Sequence, residues 1–122
     1  MIFVTLGTQD KSFKRLLVAI QEQIDKGNLT DQVIVQAGCT KFKSNDMEIY
    51  DLMESEKFEQ YMKDCDLLIT HGGVGSILTA LENGKAIIAV PRLKKYREAA
   101  NDHQKQIIEQ FAHDGYLLPL YD

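Results

Sequence analysis

Four short apolar runs, at residues 2–6, 33–37, 67–70 and 86–90, are closed in turn by Gly7, Gly38, the pair His71 and Gly72, and Pro91. None of them alternates apolar with polar residues. A strand that is apolar at every position is buried on both faces, the condition of a parallel sheet covered by helices on either side. The segments between the runs supply those helices. Phe13, Leu16, Leu17, Ile20 and Ile24 share one helical face, with Gly27 as the stop. Phe58, Tyr61 and Met62 mark a short helix, and residues 74–83 a third that ends at Gly84. Ile107, Ile108 and Phe111 line the inward side of a helix over 104–113, capped by Gly115. Residues 40–56 are mixed and polar and are assigned to loops, 92–101 form a charged connection, and 116–118 are a candidate last strand. Strand alternating with helix makes the class α/β, in a single domain over 1–122.

Several functions are excluded or disfavoured at once. A net charge of −4 argues against a general nucleic-acid binder, which needs a basic face to release counterions. No apolar run is long enough to span a bilayer, and the start "MIFVTLGTQD" reads as a strand rather than a signal peptide. Cys39 and Cys65 form no CxxC and suggest buried thiols in a reducing cytosol. His71, His103 and His113 lack zinc-ligand spacing, so no metal site is expected. Ser76 lies in "GVGSI", not in a nucleophile elbow, which disfavours a hydrolase.

In parallel sheets ligands bind beyond the carboxyl ends of the strands, and three loops fall there: "GTQD", "HGGVGS" and "PRLKKYREAANDHQ". In "HGGVGS" the glycines let the backbone approach a ligand, and the following helix offers free N–H groups and the positive end of its dipole. Ser76 adds a hydroxyl and His71 a ring N–H, a set that suits a diphosphate; a tight turn without a ligand also uses glycine. Gly7 either turns the chain or borders the same site, and Thr8 or Asp10 either caps the first helix or joins it. Arg92, Lys94, Lys95 and Arg97 are either a solvated run or a screen for phosphate charge. In "NDHQ", Asn101 or Asp102 is an N-cap, or Asp102 and Gln104 together hold adjacent sugar hydroxyls.

With those residues in view, the chain resembles the C-terminal, donor-binding domain of family 28 glycosyltransferases. "VTLGT", "CDLLITHGGVGS", "ALENGKAIIAVP" and "NDHQ" match in order and spacing over nearly the whole chain. The resemblance implies a Rossmann-like lobe of the two-lobed GT-B fold and transfer of a hexose from a UDP-sugar to a lipid-diphosphate-linked acceptor. It places the nucleotide-sugar on Gly7, Thr8, His71, Gly72, Gly73, Val74, Gly75, Ser76, Thr79, Arg92, Asn101, Asp102, His103 and Gln104. His71, Gly73, Gly75 and Ser76 face the diphosphate, and Asp102 and Gln104 the sugar, while the uracil pocket falls near Leu52 and Met53. Thr79 stands where many relatives carry a ribose-binding glutamate, with Glu82 one helical turn away. The chain is similar to the soluble subunits of split transferases, most of all to those of bacterial exopolysaccharide and capsule operons, and it lacks a final helix that relatives usually have. The resemblance implies a membrane-anchored partner that binds the lipid-linked acceptor, a cytoplasmic place at the inner face of the membrane, a homodimer when the partner is absent, and no cofactor beyond the UDP-sugar substrate. It does not identify the catalytic base. A non-catalytic nucleotide-sugar module that enhances a partner is the alternative.

Overall fold

The computed structural model describes residues 1–7, 11–71, 73–99, 102–115 and 117–120, with the backbone alone at His103. Its elements are β1 (Ile2–Thr5), α1 (Lys14–Asp25), β2 (Val33–Gln36), β3 (Met47–Tyr50), α2 (Ser55–Asp64), β4 (Leu67–Thr70), α3 (Val74–Glu82), β5 (Ala86–Ala89), a 3₁₀ turn (Lys94–Tyr96), α4 (His103–His113) and β6 (Leu118–Pro119). The strands form one sheet in the order β3-β2-β1-β4-β5-β6, and every pairing is parallel. Register aligns the ends of the central strands: Thr5 lies opposite Gln36 and Thr70, and Thr70 opposite Ala89.

The apolar runs, interrupted only by Thr5, Gln36 and Thr70, divide their side chains between two cores. Ile2, Val4 and Leu6 point with Val33 and Val35 toward Leu16, Leu17 and Ile20 of α1. Phe3, Ile34, Leu68 and Ile87 point the other way, toward Met62 of α2, Ile77 and Ala80 of α3 and Phe111 of α4. Phe3 meets the Phe58 ring edge-on at 5.2 Å between centroids. Each strand is therefore buried twice over, as its lack of alternation requires. The two faces are covered unequally. On the α1 side an apolar hollow of about 430 Å³ opens beside the helix, lined by Leu16, Ile20, Ile69, Ile88, Val90 and Leu120 among others.

Two expectations are corrected. Residues 40–56 are not all loop, since they contain β3. Its sequence, Met-Glu-Ile-Tyr, is neither continuously apolar nor long, because it lies at the sheet edge with Glu48 exposed. Cys65 is buried, and burial pushes its thiol pKa up, but Cys39 is exposed in the turn after β2. The last strand is β6, and Tyr116, assigned to it from the sequence, lies outside the described residues. No helix among the described residues is long and apolar enough to cross a membrane.

Candidate functional site

From β1 the sheet winds outward through β2 to β3, and from β4 it winds the opposite way through β5 to β6. The loops after β1 and β4 therefore part from each other and leave a crevice between them, the usual ligand position in a doubly wound sheet. Polar contacts tie its floor. Thr5 Oγ1 donates to Thr70 Oγ1 at 3.0 Å, and the His71 N–H donates to the Thr5 carbonyl at 3.1 Å. His71 Nδ1 lies 3.3 Å from that same carbonyl and 3.4 Å from Thr70 Oγ1. A carbonyl can only accept, so in one tautomer Nδ1–H donates to Thr5; in the other the Thr70 hydroxyl donates to Nδ1 and Nε2 carries the ring proton.

The His71 ring is clamped between two glycines. A Cβ at Gly7 would come 2.7 Å from Nε2, and one at Gly73 2.6 Å from it. Gly7 also has φ +80, a conformation that other residues adopt only with strain. Burial is the main reason that the His71 pKa falls from 6.5 to about 4; the Thr5 carbonyl opposes the shift and the Arg92 charge adds to it. The ring is neutral near pH 7. Its one N–H either bonds Thr5 from Nδ1 or stands on Nε2, where it is the ring N–H read from the sequence as a phosphate donor.

The crevice receives the start of α3. Gly73 is the N-cap and has no side chain to satisfy the first amides. The Ile77 N–H reaches the Gly73 carbonyl at 3.2 Å, so Val74, Gly75 and Ser76 precede it in the turn whose N–H groups have no partner within the helix. Gly75 differs from the other two glycines. A Cβ there would meet nothing within 4 Å. A helical glycine costs about 1 kcal/mol relative to alanine, and nothing among the described residues requires this one. Ser76 is half-buried, and its hydroxyl has no partner among the described residues. Thr79, one turn on, donates its hydroxyl to the Gly75 carbonyl at 2.9 Å, and Glu82 is exposed.

The connection after β5 is built differently. Arg92, read from the sequence as a ligand group, is 0% exposed. Its guanidinium donates to the carbonyls of Leu6 at 2.6 Å, Lys11 at 2.5 Å and Glu98 at 3.1 Å, and lies over the Phe13 ring. It is a clasp between the loops after β1 and β5. Burial lowers its pKa, with Glu98 among the groups that oppose the shift. Sequence reasoning missed two residues of the same network. Arg15 donates from Nε and Nη2 to the two Glu98 carboxylate oxygens, each at 3.0 Å, and Glu98 also accepts from the Leu93 N–H at 3.1 Å. Glu98 is buried although it stands in a charged run, and no spacing signal pairs it with a residue 83 positions away.

At the start of α4, Asp102 is exposed and makes no cap bond; its Oδ1 accepts from the Lys94 N–H at 3.0 Å. The Gln104 Oε1 is buried and has no hydrogen-bond partner among the described residues. Leu52 is exposed, and the Met53 N–H donates to Gln36 Oε1 at 3.1 Å, which fixes that segment at the same edge of the sheet. Thr8, Gly72, Asn101 and the His103 side chain, all assigned to the site from the sequence, lie outside the described residues.

Residues 1–118 match the glycosyltransferase family 28 C-terminal domain. The UDP-N-acetylglucosamine transferase subunit ALG13 of Candida albicans is 32% identical over 81 residues, which cover 66% of this chain and 26% of that protein. The mouse subunit of the same name is 31% identical over 124 residues, covering 94% of this chain and 10% of that protein. The chain thus spans about a quarter or less of these two relatives. Among solved structures, the glycotransferase of kitacinnamycin superposes with a TM-score of 0.72 at 17% identity, over 98% of this chain and 30% of that one. The calicheamicin glycosyltransferase CalG4 gives 0.69 at 18%, over 98% and 30%. MurG of Acinetobacter baumannii gives 0.64 at 17%, over 97% and 35%. At such identities these structures speak for the fold, a Rossmann-like lobe of the GT-B type.

Proposed function

The chain belongs to the glycosyltransferase family 28 C-terminal domains, and from that premise we propose that it is the donor-binding half of a UDP-sugar-dependent hexosyltransferase. The observation that carries this reading is Gly75. It stands in the open first turn of α3, where no described residue gives a reason for the missing side chain and an approaching ligand would. The diphosphate lies across the amides of Val74, Gly75 and Ser76, with the Ser76 hydroxyl as a further donor. The His71 ring props the turn open from behind and presents Nε2 to the crevice wall. The sugar lies toward α4, where the unpartnered Gln104 Oε1 and exposed Asp102 supply acceptors for its hydroxyls.

The relatives named UDP-N-acetylglucosamine transferase subunits favour that sugar among the UDP-hexoses, and the word "subunit" supports a heteromer. In the proposed enzyme a membrane-anchored lobe binds a lipid-diphosphate-linked acceptor and closes the crevice, and this chain works at the cytoplasmic face. The relatives are eukaryotic; a setting in bacterial exopolysaccharide or capsule synthesis rests on the sequence resemblance alone. The apolar hollow beside α1, with Leu118 and Leu120 exposed nearby, supports association with another chain, or a homodimer in isolation.

A second reading has its own support. Among the described residues no side chain stands out as a general base: His71 is buried and clamped by two glycines, and Asp102 is assigned to the sugar. A module that binds the nucleotide-sugar and presents it to a catalytic partner needs no base of its own. Reconstitution separates the two. Calorimetry should give UDP binding to the isolated chain with a Kd between about 1 μM and 1 mM. Sugar transfer should require the membrane-anchored lobe as well. If the Asp102→Ala and Gln104→Ala variants leave transfer in the reconstituted pair unchanged, the sugar does not lie where it is placed here. Absence of UDP binding to the folded chain would overturn the donor-site reading.

A further inference from the structure

Segments 11–15 and 92–98 hold seven of the fourteen lysines and arginines but only one of the eighteen acidic residues, in a chain of net charge −4. That acid, Glu98, is buried and paired with Arg15. Lys11, Lys14, Lys94, Lys95 and Arg97 are exposed, and none is ion-paired among the described residues. The two segments follow different strands, yet they form one body. Arg92 bonds the Lys11 carbonyl, and Arg15 bonds both Glu98 and the Pro91 carbonyl. Between them lies an open hollow of about 370 Å³, lined by Ser12, Lys14, Arg15, Tyr96, Arg97 and Glu98. Tyr96 is exposed at its rim, with the Arg15 guanidinium 4.7 Å and Lys95 Nζ 4.9 Å from its ring centroid.

We propose that this basic collar docks the chain directly on an anionic bilayer, the hollow between Lys14 and Arg97 seating a phosphate headgroup and Tyr96 resting at the interface. The remainder of the chain is strongly acidic and is repelled by such a surface, so the collar also sets the orientation: the side carrying segments 11–15 and 92–98 faces the lipid, beside the crevice that the partner lobe closes. The composition favours a bilayer over an acidic protein. Protein interfaces are depleted of lysine around an apolar centre, whereas exposed lysines and arginines beside an aromatic ring match a charged headgroup layer. The attraction acts within about a Debye length and weakens with salt. The inference goes beyond the proposed reaction, in which a partner brings the chain to the membrane, and it does not depend on the donor site.

The test is co-sedimentation of the full chain with phosphatidylcholine vesicles, with and without phosphatidylglycerol, at low and high salt. The wild-type chain should sediment with the anionic vesicles at low salt, remain free with the neutral ones, and be released by high salt. The variant Lys14→Glu/Lys94→Glu/Lys95→Glu should lose about a hundredfold in vesicle affinity. All three positions are exposed, and an acidic residue in the first turn of α1 suits the helix dipole, so the fold is kept. Vesicle binding is read in the absence of UDP, and the thermal denaturation of the variant should match that of the wild type, which separates this test from that of the donor site. Equal sedimentation with neutral and anionic vesicles, no sedimentation with either, or undiminished binding by the variant would each overturn the proposal.

Discussion

The turn after β4 and the connection after β5 leave the same edge of the same sheet, and they are built in opposite ways. The first is nearly bare backbone: a buried histidine, glycines, and the uncapped start of α3. The second is knitted by side chains, with Arg92 on three carbonyls and Glu98 shared between Arg15 and the Leu93 amide. Each buries one side chain that the sequence marks as a ligand group, and burial does opposite things in the two places. His71 holds the glycine turn in shape and leaves amides open to something outside the chain. Arg92 consumes carbonyls and leaves nothing open but the outward charges around it. A polar group in a loop is thus free for a ligand only where the backbone around it does not use it.

This contrast can be broken most severely at Arg92. Arg92→Ala strands buried carbonyls of Leu6, Lys11 and Glu98, and urea denaturation should show a loss of about 3–5 kcal/mol. UDP affinity of the protein that remains folded should not change. A fall in UDP affinity at unaltered stability would make the connection a ligand site after all.

The next effect is that of pH. His71 binds a proton near pH 6.5 when unfolded but only near 4 when folded. Between those values the unfolded chain holds more protons, so stability is complete above the unfolded pKa and drains away as pH falls toward the folded one. The loss across that window reaches about 3 kcal/mol at most. In His71→Asn this part of the pH dependence should vanish; a profile of the same slope in the variant would assign it to other groups.

Gly73→Ala sharpens the account of the clamp. Gly73 has φ −68, so the substitution strains no backbone, and its only fault is a Cβ 2.6 Å from His71 Nε2. A loss of about 1–3 kcal/mol is expected from overpacking. In the Gly73→Ala/His71→Ala pair the clash has no second party, so the two losses should fall well short of additive. Additive losses would mean that the glycine is needed for some other reason.

The apolar strands and glycine stops were legible because each reports its own neighbourhood. Residues buried on both sides of a parallel sheet are mostly apolar, and β4 follows from its Leu-Leu-Ile run and the break at His71. The edge strand β3 escaped because one side of it meets solvent, which dilutes the apolar signal over four residues. Arg92 and Glu98 escaped for a different reason: their partners are fixed by the closing of two loops, at separations of 86 and 83 positions for Leu6 and Arg15. A charged run looks the same in sequence whether it is solvated or knitted. Glycine was ambiguous in the same way. Gly7 and Gly73 answer to the His71 ring and Gly75 to nothing among the described residues, a distinction that requires the positions of side chains.

The central claim, that the β4–α3 turn is open because a nucleotide diphosphate occupies it, is tested most directly by Gly75→Ala. Stability and UDP affinity should be measured on the same protein, by denaturation and by calorimetry. Nothing among the described residues opposes the new methyl group, and alanine favours the helix, so stability should hold or rise by up to about 1 kcal/mol. If a diphosphate lies on the amides of this turn, the methyl group stands in its way, and UDP affinity should fall by about tenfold or more, a loss of at least roughly 1.4 kcal/mol. A variant that is as stable as the wild type and binds UDP equally well would contradict the account.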